Sequence, residues 1–166
     1  MDEKSMQFAN FNITFGENDA PMLKHFSDII FPAFSGDYIR GKRDSVPRYF
    51  FAGVEIKEVD NEYVMVGNFI KETKYKVVTT VQEGVLASTP ADVPTAPYSR
   101  FIVFLKNHRM VLVRNETASP DTRSFQSTVR DILNQYVRNA NRERSERDKL
   151  PIAIANIVDI PLKDSI

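Results

Sequence analysis

The chain has no cysteine among its 166 residues. That removes disulfide bonds, thiolate catalysis and every cysteine-containing zinc or iron–sulfur site. Tryptophan is also absent, and the histidines are two, His25 and His108. They stand in no HxH, HxxxH or HExxH arrangement, so no metal site is expected. No GxSxG elbow supports a serine triad. The six glycines are scattered and form neither a Walker loop nor GxGxxG. No cofactor is predicted. No stretch approaches the roughly 18 apolar residues of a membrane span. The opening "MDEKSMQFANFNITFG" has early acids and no apolar run of signal-peptide length. With no disulfides to protect, the expectation is a cytoplasmic protein with no membrane partner. Net charge is zero, 22 basic residues against 22 acidic. Bulk charge therefore does not mark a strongly basic nucleic-acid binder.

What is present is a globular composition, 42% hydrophobic and 27% charged, with 12 phenylalanines. A single domain over residues 1–166 is expected. The final "KDSI" resembles the start of another element, which raises a longer parent protein with this chain as its N-terminal part.

Alternation of Phe11, Ile13 and Phe15 predicts a strand ended by Gly16. "ENDAPMLKHFSDIIFPAF" predicts a helix with Asn18 or Asp19 as cap. Its apolar stripe is Met22, Leu23, Phe26, Ile29 and Ile30, and Pro32 is expected to end it or reduce it to a final turn. "RYFFAGVEIKEV", "YVMVGNFI" and "KETKYKVVTTVQEG" read as three consecutive strands, with "DNE" at 60–62 as a turn. Residues 87–99, "ASTPADVPTAPYS", carry Pro90, Pro94 and Pro97 and predict a break with no regular element. "RFIVFLKNHRMVLVRN" predicts a tight hairpin whose continuous apolar runs imply cover on both faces. "SPDTRSFQSTVRDILNQYV" predicts the strongest helix, capped by Ser119 or Asp121, with Phe125, Val129, Ile132, Leu133, Tyr136 and Val137 on its buried face. "PIAIANIVDIPL" predicts a last strand. The whole is α+β: a mostly antiparallel sheet with two principal helices and a ferredoxin-like half.

Cations concentrate in three segments. The loop "DYIRGKRD" offers Arg40, Lys42 and Arg43, with aromatics following at Tyr49, Phe50 and Phe51. The hairpin turn offers Lys106, His108 and Arg109. The tail of the long helix offers Arg138 and Arg142, then Arg144, Arg147 and Lys149, tempered by Glu143, Glu146 and Asp148. Glu143 and Arg147 have the i,i+4 spacing of a helical ion pair. Basic groups near aromatics are what a nucleic-acid surface uses, and equally what a solvated loop beside a core strand looks like. Two E-x-K pairs, Glu55/Lys57 and Glu72/Lys74, follow Asp44 and Asp60. That is the arrangement of a metal-dependent nuclease, and also of any solvated strand face.

The succession of "PYSRFIVFLKNHRMVLV", "SPDTRSFQSTVRDILNQYV" and "IAIANIVDIPLKDSI" resembles the N-terminal domain of the phage exclusion protein RexA and related anti-phage proteins. The likeness covers element order over about residues 48–166 and no residue-specific motif. It implies a non-enzymatic, dimeric, DNA-binding defence protein. No catalytic residue is assigned. The expected function is DNA or RNA binding through Arg40, Lys42, Arg43, Lys106, Arg109, Arg138 and Arg142. The alternatives are a protein-interaction or self-association module, with a homodimer or protein partner, and a metal-dependent nuclease.

Overall fold

The computed structural model describes residues 4–77, 80–82, 84–87 and 91–161. Strand β1 (Ser5–Phe15) shows the predicted period: Ala9, Phe11, Ile13 and Phe15 are buried, while Asn10 and Asn12 are exposed. Gly16 ends it at φ +71, a left-handed conformation that favours glycine.

The next segment is helical but irregular. A 3-10 turn (Met22–His25) leads into a π turn (Phe26–Ile30) and then α1 (Phe31–Ser35). Pro32 reduces the helix to one final turn, which stops at Ser35, the second of the two outcomes expected. Its missing N–H deprives the Asp28 carbonyl of the usual donor, and the Tyr136 hydroxyl donates to that carbonyl instead, at 3.0 Å. Neither Asn18 nor Asp19 caps the segment. Asp19 lies in a left-handed turn (φ +49) and Pro21 occupies the cap position. Met22, Ile29 and Ile30 are buried, but Leu23 is 55% exposed. Three residues per turn rotate it off the stripe.

Strands β2 (Arg48–Val59) and β3 (Glu62–Val77) form a hairpin. Asp60 and Asn61, at φ +50 and +64, make the two-residue turn that "DNE" predicts. A bulge between Ala52 and Glu55 contains Gly53 at φ +62. The strands expected separately at 63–70 and 71–84 are continuous through Val77, because no turn residue interrupts them. The first half of β3 pairs with β7 (Tyr98–Phe104) and the second with β6 (Ala91–Thr95). A small hairpin of β4 (Thr80–Gln82) and β5 (Val85–Ala87) intervenes. The expected break at 87–99 is thus largely overturned. Pro94 sits in β6, which among the described residues has β3 as its one neighbour, so the missing N–H disrupts no second ladder. Pro90 lies outside the described residues.

β7 and β8 (Arg109–Arg114) form the predicted hairpin. Helix α2 (Thr122–Asn141) starts at Asp121, whose carboxylate accepts from the Ser124 N–H at 2.9 Å. Its stripe is buried as predicted, except that Tyr136 is only partly covered; Thr122 and Thr128 join it. The helix stops at Asn141, so Glu143 and Arg147 do not form their helical pair; Lys149 pairs with Glu146 at 2.6 Å. Strand β9 (Ala153–Asp159) follows.

The fold is α+β, with strand order β2-β3-β7-β8-β1-β9 and β6 beside the far half of β3. All neighbours are antiparallel. β8 and β9 are both antiparallel to β1, hence parallel to each other and joined by α2. This split β–α–β unit is the expected ferredoxin-like half.

The helices cover one face. Phe125 of α2 sits among the rings of Phe11, Phe34, Phe51, Phe69 and Phe101 at centroid distances of 5.3–6.4 Å. In a chain without tryptophan, phenylalanine supplies the aromatic core. Gly67 makes room for it: a Cβ there would lie 2.8 Å from the Phe101 ring. At the β9 edge, Arg130 Nε donates to the Ala155 carbonyl at 3.1 Å and blunts the free backbone.

Candidate nucleic-acid interface

The face of the sheet opposite the helices carries no helix among the described residues, although Val64 on it is buried. Strand period alone dictates who stands there. Partners across the ladders share a face, so the rows can be followed strand by strand. One row runs Lys57, Val64, Phe104, Arg109, Asn10, Val158. The next runs Glu55, Val66, Ile102, Val111, Phe8, and the third Ala52, Asn68, Arg100, Val113, Met6. The apolar runs of the β7–β8 hairpin are therefore covered on one side only. Ile102, Phe104, Val111 and Val113 are half-buried, against the expectation of cover on both faces. The reason is that the described helical segments all pack on the other face.

The pattern is an apolar middle stripe between rows that carry cations and amides. Aromatic rings edge it: Phe8 and Phe104 are half-buried and Tyr98 is 38% exposed. A trough of about 500 Å³ lies over β2, β3, β7 and β8, with Lys4, Lys57, Asn68, Arg100 and Asn115 among its walls. A second hollow holds Asn10, Asn12, His108, Arg109 and Asn156.

The charges on this face do not cancel. Glu55 lies 3.8 Å from Lys57. Glu72 pairs with Arg48, which also donates to the Arg43 carbonyl at 2.6 Å. Among the described residues Lys4, Arg100 and Arg109 have no carboxylate partner. Arg109 instead donates to the neutral Asn10 amide oxygen. Arg100 stands in a central strand, exposed, between Asn68 and Val113.

The seven cations singled out in the sequence fall in different places. Arg40 is engaged within the fold. Its Nε donates to Thr128 Oγ1 at 2.9 Å and its guanidinium lies 4.1 Å from the Tyr49 ring centroid. Its backbone also bridges Tyr49 in both directions. Lys42 and Arg43 are exposed on the same loop. That loop runs along α2: Gln135 donates to the Ile39 carbonyl at 3.0 Å, and Tyr38 packs edge-on to Tyr136. It thereby reaches the helix end, where Tyr38, Gln135, Arg138, Asn139 and Arg142 line a shared hollow. The loop therefore touches the helix end through Tyr38, whereas its own cation Arg40 is engaged further along the helix, at Thr128. The third basic segment does not join the loop or the helix end. Lys106 pairs with Glu62 at 3.6 Å, and Arg109 belongs to the open face.

Phe51 is buried, as expected of a strand entering the core, while Tyr49 and Phe50 are half-buried. Of the E-x-K pairs, Glu72 is engaged by Arg48 and Glu55 by Lys57. Among the described residues no group of three or more histidines, aspartates or glutamates is placed to hold a metal. Sequence reasoning missed Lys4 and Arg100. The signal was their parity: Arg100 alternates with buried Ser99 and Phe101, so it had to face the other way. No protein-family model, curated protein or solved structure matches the chain.

Proposed function

We propose that the protein binds single-stranded nucleic acid across the open face of its sheet, without catalysing a reaction. The observation that carries this reading is Arg100, an arginine on a central strand that, among the described residues, has no carboxylate partner and stands exposed on the face away from the helices. Around it stand Lys4 and Arg109 as further phosphate contacts and Phe8, Tyr98 and Phe104 as ring surfaces. A strand lying on such a face pairs its phosphates with the cations and its bases with the rings. Sheet-based RNA-binding modules work by the same division of labour. Asn68, Asn115, Asn10 and Asn12 offer donors and acceptors beside the rings.

The test is fluorescence anisotropy with a labelled oligonucleotide. Three phosphate contacts give a log–log salt slope of about −2, a loss of roughly twentyfold between about 50 and 200 mM salt. Arg100→Glu is expected to weaken binding at least about tenfold at low salt while leaving the melting curve in place. Absence of binding at low salt, or an Arg100→Glu variant that binds like the wild type, overturns the reading.

A further inference from the structure

Between the bulge at Gly53 and the turn at Asp60, β2 has β3 on one side and no described neighbour on the other. The ladder directions say which groups are left over. Odd residues of β3 bond toward β7: the Lys71 N–H donates to Pro97 at 2.9 Å and the Tyr63 carbonyl accepts from Leu105 at 3.4 Å. Even residues Val64 and Val66 therefore bond to Lys57 and Glu55 across the other ladder. Val54, Ile56 and Glu58 send their N–H and C=O groups out of the free edge. The side chains from Glu55 to Val59 are exposed on both faces.

Such an edge recruits another strand unless its side chains forbid it. Here they select one. The order is Glu55-Ile56-Lys57, symmetric about Ile56 with opposite charges on its two sides. An antiparallel copy centred on Ile56 sets Glu55 opposite Lys57 of the second copy and Lys57 opposite its Glu55. The outward groups of Ile56 then bond to those of its own counterpart. The two Ile56 side chains, each 38% exposed in the single chain, meet on the inner face. The neighbouring registers are penalised. Moving the centre by one residue either way, a relative slip of two, sets Glu55 against Glu55 or Lys57 against Lys57, and like charges directly opposite repel.

We propose that the free edge of β2 pairs with a second copy of this chain in the register centred on Ile56. The twofold axis stands perpendicular to the sheet, so the open faces of both copies lie on the same side and run into one another. The bulge and the turn confine the contact to Val54–Glu58. That is short of the roughly 800 Å² per partner of stable complexes, so the dimer is weak and concentration-dependent. The proposal does not rest on nucleic-acid binding. Lys4, Arg100 and Arg109 take no part in it, and its readout is mass.

Sedimentation equilibrium of the full chain, from micromolar to millimolar concentration, tests it. The wild type is expected to show a reversible monomer–dimer equilibrium. Glu55→Lys and Lys57→Glu are each expected to weaken self-association at least about tenfold, because each turns two attractions into two repulsions. Mixing the two variants is expected to produce a heterodimer, and the double exchange to restore the homodimer. Ile56→Pro removes an outward N–H without touching the β2–β3 ladder, and is expected to abolish pairing. A wild type that stays monomeric throughout overturns the proposal. So do single charge variants that dimerise as well as the wild type, or a mixture no more associated than its components.

Discussion

Arg40 and Arg100 have the same side chain and opposite situations. Arg40 is held by Thr128 and the Tyr49 ring, whereas Arg100 has neither an ion pair nor a hydrogen-bond partner among the described residues. Truncating Arg40 to alanine is expected to cost about 1–2 kcal/mol of stability in urea unfolding, from one hydrogen bond and one cation–π contact. It is expected to leave oligonucleotide affinity unchanged, where the Arg100 change does the reverse. Measuring both quantities on both variants separates a packing arginine from a binding one. Gly67 is the second residue whose identity is forced. Gly67→Val places new atoms where the Phe101 ring and Val54 already stand, the ring 2.8 Å from the first added carbon. Overpacking of this kind is expected to cost about 1–3 kcal/mol, read from the unfolding midpoint.

Among the elements, α2 was the most legible because its apolar period, its Asp121 cap and its length agree with one another. The segment at Met22–Ser35 was the least. Its proline left an end or a final turn open. The final turn forms, and Tyr136, 108 residues away, supplies the lost donor to Asp28. Tyr136→Phe is therefore expected to destabilise by about 1 kcal/mol by chemical denaturation. Pro32→Ala in that background is expected to recover part of the loss, since the backbone N–H it restores can then reach the Asp28 carbonyl. The extent of β3 was hidden for a related reason. Strand residues declare themselves locally, but a strand's neighbour can change along its length, from β7 to β6, with no mark in the sequence.

For the molecule as a whole, one core packs against the helices, and the other face of the sheet carries no described helix. The core converges on Phe125, whose ring touches phenylalanines from β1, α1, β2, β3 and β7. Phe125→Ala is expected to cost about 3–5 kcal/mol and to lower cooperativity, seen as a broadened thermal transition. A zero net charge is compatible with an excess of cations on one face, where Glu55 and Glu72 are engaged by Lys57 and Arg48 while Lys4, Arg100 and Arg109 have no carboxylate partner among the described residues. The net figure averages over faces that a ligand meets one at a time.

The sequence by itself determined the α+β class, the absence of thiol chemistry and the α2 helix with its cap. It also determined the first and last strands and the turns at 60–61 and 106–109. These follow from local period and turn chemistry, which a single chain carries in full. Tertiary structure alone decided where each basic segment lies and which face the described helices leave bare. It joined the 38–43 loop to the end of α2, took Arg40 into a structural contact, and exposed Arg100 on a central strand. It also left the Val54–Glu58 edge without a described neighbour. Those outcomes depend on the strand order β2-β3-β7-β8-β1-β9. Strand order arises from contacts between residues tens of positions apart, and no local pattern encodes it.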